Sequence, residues 1–159
     1  MESIYIEIDG VKGESSTKHA ANLIELLGFS IGVSMPQTNV TGGSTRTHGS
    51  RPRFNDLSIT KKLDIATPTL HLKCSNGENI KSATLRVYAN TEATEEVYRI
   101  KIEDVVVSGA RLGSGGADLP LETISLNFAK IEYTFIAVQA TTGTKGGNRS
   151  AKFDLLKNA

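Results

Sequence analysis

Apolar residues recur with period two in one segment after another, and turn residues separate the segments. This is the pattern of antiparallel strands that each rest one face on a core. In Ser3 to Ile8, the residues Ile4, Ile6 and Ile8 share a face opposite Tyr5 and Glu7, and the run stops at Asp9-Gly10. From Leu23 to Ser34 one face carries Leu23, Glu25, Leu27, Phe29, Ile31 and Val33. The other carries Ile24, Leu26, Gly28, Ser30, Gly32 and Ser34, and becomes small and polar along its length. Three more strands follow, at Leu57 and Ile59, at Leu85 and Val87, and at Tyr98, Ile100 and Ile102 running on to Val107. In the last long strand the apolar face is set by Ile124, Leu126 and Phe128, then shifts parity to Ile131, Tyr133 and Phe135. An extra residue near Ala129 or Lys130 would produce that shift. Such a bulge bends a sheet toward closure, so the pattern predicts an all-β fold, a small antiparallel β-barrel with a final strand around Lys152 to Leu156.

One segment breaks the alternation. Thr67 followed by Pro68 has the form of a helix N-cap with proline at the first helical position, Leu70, Lys73 and Cys74 fall at helical spacing, and Gly77 suits the stop. One short helix is expected from about Pro68 to Ser75; the alternative is a hairpin turn at Asn76-Gly77. The connection from Met35 to Arg53 is rich in Gly, Ser, Thr and Asn. Structureless loops beyond roughly 12 to 15 residues are uncommon unless functional or disordered. This extended loop, at about 35–53, is the first candidate for an interaction element.

The chain has 159 residues, which fits a single domain, 1–159, with one hydrophobic core. Lys plus Arg number 18 against 17 for Asp plus Glu, so bulk charge gives no case for binding nucleic acid or an anionic membrane. No stretch approaches the roughly 18 apolar residues of a membrane span. Residues Met1 to Asp9 read as an acidic strand rather than a secretory signal, and the formal glycosylation sites at Asn39 and Asn148 carry little weight in that setting. The single cysteine, Cys74, cannot form an internal bridge.

Candidate chemistry is sparse. Nucleophilic catalysis needs a Ser, Thr or Cys beside a histidine oriented by a carboxylate, and His19, His48 and His71 sit in no such motif and read as ordinary surface residues. No paired His or Cys spacing suggests a metal. The run Gly113, Ser114, Gly115, Gly116 lacks the Lys-Ser/Thr ending of a phosphate loop. The basic residues Arg46, His48, Arg51 and Arg53 have no aromatic neighbours to stack bases. Glu103 and Asp104 are adjacent, so on a strand they face opposite ways and cannot act as an acid and base pair. The sequence predicts no catalytic residues, no cofactor and no metal site.

Four stretches in order, Ile6 to Ser15 (IEIDGVKGES), Leu57 to Lys62 (LSITKK), Asp64 to Gly77 (DIATPTLHLKCSNG) and Gly113 to Lys130 (GSGGADLPLETISLNFAK), resemble the hemolysin-coregulated protein (Hcp) family. Members of that family are inner-tube subunits of the bacterial type VI secretion system. The resemblance runs from about Ser3 to Tyr133. It implies a β-barrel with one helix, homohexameric rings that stack into a hollow tube, and ejection of the tube by a contracting sheath. Partners implied are other copies of the chain, the sheath and spike components, and small effector proteins carried in the lumen. Assembly in the cytoplasm would be followed by secretion without a cleaved signal peptide, with no membrane insertion.

By the same resemblance Gly28, Ser30, Gly32 and Ser34 are the lumen-facing candidates, although an ordinary solvent face carries such residues too. For the loop, the resemblance implies contact with an adjacent subunit or ring, with Gly42, Gly43, Arg46, His48, Arg51 and Pro52 as candidates; a disordered surface loop is the alternative. Two departures stand out. The frequent Trp-Ser-Trp-Gly run of the family is Phe29, Ser30, Ile31, Gly32 here, and Thr141 to Ala159 matches poorly. A competing reading is a monomeric or paralogous barrel that binds a ligand or effector and forms no tubes.

Overall fold

The computed structural model describes residues 2–36, 51–90, 94–136 and 148–159. The chain is strand-rich with one helix. In order come β1 (Glu2–Ile8), β2 (Ile24–Leu26), β3 (Gly28–Ser30), β4 (Val33–Ser34), β5 (Arg53–Phe54), β6 (Leu57–Lys62) and α1 (Thr67–Asn76). There follow β7 (Asn79–Asn90), β8 (Thr94–Gly113), β9 (Leu121–Asn127), β10 (Lys130–Phe135) and β11 (Arg149–Asp154). All pairings are antiparallel, and the main sheet runs β2-β1-β7-β8-β9-β6-β3, with β10 and β11 attached along β8 and β4-β5 forming a separate small ladder.

The expected closed barrel is corrected in one respect: the ladder is an open path of strands, not a hydrogen-bonded ring. Its two ends are nevertheless successive pieces of one stretch of chain. β2 pairs with β1 and β3 pairs with β6, with Leu27 alone between them. The single strand read from Leu23 to Ser34 is therefore three short ones, and its faces change at Leu27. Ile24 and Leu26 are buried before it, Phe29 and Ile31 lean on the core after it, and Leu27 itself is 54% exposed. Strict alternation cannot anticipate such a change, because it assumes one sheet plane throughout.

The parity shift expected in the last long strand is present, since Phe128 and Ile131 are both buried. Its cause is different. Asn127 pairs with Val106 and Lys130 with Glu103, so no residue is inserted between them. Instead three neighbouring stretches change face together: Ile80 and Ala83 in β7, Ile102 and Val105 in β8, and Phe128, just past β9, with Ile131 in β10 are all buried. Asp104, at φ 56°, supplies the left-handed backbone at this corner. The register shifts lie elsewhere, in β8 between Val107 and Gly109 and in β7 between Val87 and Tyr88. The last strand begins earlier than expected, at Arg149, and Phe135 is 53% exposed while Thr134 turns inward.

The helix runs one residue further at each end than expected. Its N-cap is Ala66 rather than Thr67, Pro68 stands in the first turn, and Gly77 ends it at φ 61° with its N–H on the Cys74 carbonyl. Leu70 is fully buried and Cys74 packs against the core. On the outer side of the sheet, Tyr5 and Tyr88 meet edge to face at 5.8 Å between ring centroids, and His19 packs on Tyr88 at 4.7 Å with the rings tilted by 54°. These contacts hold the 12–23 segment against β1 and β7.

Further along β7 and β8, Glu96 lies between Arg86 and Arg99, 2.7 Å from Arg99 Nε and 3.3 Å from Arg86 Nη1. Burial alone would raise the Glu96 carboxyl, but the Arg99 hydrogen bonds and the two guanidinium charges outweigh it and hold the group below its ordinary range. The contribution is therefore complete above the unfolded glutamate value of about 4.3 and fades as the pH falls through the lower folded value. Glu96→Gln is expected to reduce the acid sensitivity of unfolding below about pH 4, measured by urea denaturation across pH.

Candidate functional surface

The outward face of β3, β6, β9 and the second half of β8 is built by alternation. Inward go Phe29, Leu57, Ile59, Ile124, Leu126 and Val107. Outward, Ser30 stands beside Ser58, Ser58 beside Ser125, and Ser125 beside Gly109; one row along, Gly28, Thr60, Thr123 and Arg111 follow in the same order. Three adjacent strands, β3, β6 and β9, thus present small hydroxyl side chains side by side, and β8 borders them with Gly109 and Arg111. A Cβ at Gly109 would lie 3.6 Å from Ser125 Oγ, an ordinary contact distance, so the position is not closed to a small side chain. Ser108, in the bulge of β8, donates to Asp56 Oδ2 at 2.6 Å, and Asn127 donates to Asp56 Oδ1 at 2.9 Å. Asp56 thereby pins β6, β8 and β9 at one end of this face.

Of the four residues expected on such a face, Gly28 and Ser30 belong to it. Gly32 and Ser34 continue the same stretch of chain beyond β3, Ser34 within the β4-β5 ladder and exposed. Ser58, Thr60, Thr123 and Ser125 were missed. Their period-two spacing opposite Leu57, Ile59, Ile124 and Leu126 was visible, but their adjacency to Ser30 depends on which strands pair. Among the loop candidates, Arg51 is exposed and Pro52 half-buried. Gly42, Gly43, Arg46 and His48 lie outside the described residues.

Directly behind this face is a buried polar cluster. Lys61 and Glu122 are cross-strand partners at the inward positions of β6 and β9, and both are 0% exposed. Lys61 Nζ lies 2.6 Å from Glu122 Oε2 and 2.6 Å from Asp64 Oδ1, and donates to Thr67 Oγ1 at 3.1 Å. The Thr67 hydroxyl donates to Glu122 Oε2 at 2.7 Å. His71 Nε2 approaches Glu122 Oε1 to 3.1 Å without hydrogen-bond alignment, and neither atom has another hydrogen-bond partner among the described residues. His71, read from sequence as a surface residue, is thus corrected: its Nε2 is buried against the cluster. The alternation Leu57, Ile59, Lys61 and Glu122, Ile124, Leu126 puts both charges on the apolar face, but neither their pairing nor the approach of His71 was legible from it.

The Thr67 hydroxyl gives its proton to Glu122 and not to His71, and Thr67 is 5% exposed. What the arrangement does is fasten the start of α1 to β6 and β9. Among the described residues no three His, Cys, Asp or Glu side chains gather to hold a metal, and no helix is long and apolar enough to cross a membrane.

Comparison with known proteins agrees with this architecture. The family profile described as type VI secretion system effector, Hcp, matches residues 5–135. Protein hcp1 of Pseudomonas aeruginosa is 35% identical over 157 residues, covering 98% of this chain and 96% of that protein. A solved type six secretion system protein superposes with a TM-score of 0.91 at 26% identity, over 100% of this chain and 99% of that one. Hcp1 from Salmonella typhimurium shares the fold, with a TM-score of 0.80 at 21% identity, over 99% and 97% of the two chains. With the family profile spanning most of the chain and a relative at this identity over nearly its whole length, the chain belongs to the Hcp family of the type VI secretion system.

Proposed function

We propose that this chain is a structural subunit of a type VI secretion tube, which forms six-membered rings that stack around a hollow lumen, and that it acts without catalysis. The observation that carries this reading is the continuous hydroxyl face of β3, β6 and β9, which β8 borders with Gly109 and Arg111. Small hydroxyl side chains leave space, and their donors and acceptors keep such a wall hydrated, so a passing protein meets water and weak contacts rather than an apolar surface. Ser30, Ser58, Thr123 and Ser125 would line the lumen, where small effectors travel. Family membership supports the remainder: assembly within the cell, contact with sheath and spike components, and expulsion with the tube.

The test combines mass and accessibility. Light scattering after gel filtration should give the mass of six chains, with rings in negative-stain images of the same peak; a monomer at every concentration would favour a ligand-binding barrel instead. In a Cys74→Ala background, Thr123→Cys should react with a bulky maleimide polymer when the protein is dissociated and be protected once tubes form. A cysteine at exposed Ser75, on α1, should react in both states. Equal reaction of the two cysteines in assembled protein would rule out the assignment of this face to the lumen.

A further inference from the structure

Resting on the tube reading above, we infer that the hydroxyl face favours cargo proteins with an acidic surface, and that Arg111 is the residue that sets this preference. Arg111 stands in β8 at the border of the face, beside Thr123 of β9, in the row that continues through Thr60 to Gly28. The neighbouring row, Gly109, Ser125, Ser58 and Ser30, holds small side chains or none. Arg111 is therefore the one long side chain of the two rows, and it is exposed.

Its surroundings leave the guanidinium group uncommitted. The outward neighbours along β8 are Gly109 and Gly113, and a Cβ at Gly113 would meet nothing within 4 Å. No carboxylate answers the charge, since Arg111 has no ion-pair partner among the described residues. The other charged groups around the face are engaged. Asp56 accepts from Ser108 and Asn127 at one end, and Lys62 faces Asp118 at 3.9 Å at the other. Glu122, next to Thr123 in the chain, points inward and is held by Lys61. The free charge that this face offers to a passing surface is therefore positive.

A guanidinium group suits a carboxylate better than a neutral group, because it presents two parallel N–H donors to the two oxygens. One exposed pair of this kind is weak and is screened by salt. A ring repeats Arg111 in every copy, so a protein inside meets several at once, and weak contacts add up while each one breaks readily. The hydroxyl groups of Thr60, Thr123 and Ser125 donate and accept, and so serve surfaces of either sign. Preference by charge is thus left to Arg111.

The test uses the full chain in assembled form and two dye-labelled peptides of equal length, one of Glu, Gly and Ser and the other of Lys, Gly and Ser. Fluorescence anisotropy reads their binding at low and at high salt. Wild-type protein should bind the Glu peptide about tenfold more tightly than the Lys peptide at low salt, and lose that margin at high salt. Arg111→Gln should remove the margin, Arg111→Glu should reverse it, and Arg111→Lys should keep most of it. Lys152→Glu makes the same change of net charge as Arg111→Glu, but on the exposed side of β11, and should leave the preference as it is. An equal loss in Lys152→Glu would make the preference a matter of net charge and overturn the assignment, as would an unchanged preference in Arg111→Gln. The glutamine variant adds no negative charge, so it decides the matter even if Arg111→Glu forms no rings. Light scattering on each sample separates this proposal from the reading beneath it: wild-type protein that stays monomeric overturns the tube reading, whereas rings without a charge preference overturn this proposal alone.

Discussion

Lys61→Ala is expected to lower the free energy of unfolding by about 3–5 kcal/mol, because it strips the ammonium from a carboxylate that has no access to water. Glu122 is 0% exposed, and Lys61 supplies the charge 2.6 Å from its Oε2. Without Lys61 the carboxylate keeps only the Thr67 hydroxyl on Oε2 and the His71 approach on Oε1. Removing one partner of a buried pair costs more than removing both, since the pair's mutual attraction mainly offsets its own desolvation. Lys61→Met combined with Glu122→Gln should accordingly cost less than the sum of the two single changes. Urea denaturation at one fixed protein concentration measures this, the concentration being held because self-association shifts apparent stability. A loss below about 1 kcal/mol for Lys61→Ala would place the cluster among contacts of surface strength.

Gly13→Ala is the second large effect, of about 3 kcal/mol, from overpacking rather than from lost contacts. A Cβ on Gly13 would fall 2.2 Å from the Leu23 carbonyl oxygen and 2.6 Å from the Ile24 nitrogen, both backbone atoms that no rotamer change can move. Gly13 N donates to Asn22 O at 2.9 Å, and Ser15 N to Leu23 O at 3.2 Å, so relief of the clash must break this ladder or push β2 away from β1. Because β2 leads directly into Leu27 and β3, displacement should also disturb the start of the hydroxyl face at Gly28. Gly28→Ala is the matching control, since nothing lies within 4 Å of a Cβ there, and its effect on stability should stay within about 0.5 kcal/mol. Thermal and urea unfolding of the two variants side by side would separate close approach at Gly13 from a general cost of adding a methyl group.

Much of the architecture was present as local pattern. Ile4, Ile6 and Ile8 announced β1, Leu57 and Ile59 announced β6, and Pro68 with Gly77 bracketed the helix within a residue of its observed ends. Each is a period or a backbone preference expressed within ten residues or so, and neighbouring side chains suffice to set it. The Lys61 and Glu122 pair was half legible. The alternation placed each charge on an apolar face, but nothing local says that two inward charges 61 positions apart will neutralise each other.

The features on which the proposed function rests are of the other kind. Ser30, Ser58 and Ser125 become one surface because β3, β6 and β9 pair in that order and in that register, and one residue of slip would send each of them inward. Leu27 is exposed because the chain leaves one partner strand for another there, and Asp104 turns three strands together with no inserted residue. The amino-acid order alone pointed to most of the strands, the helix and the family; strand pairing, a sum of long-range contacts each weak on its own, settled which side chains share a face.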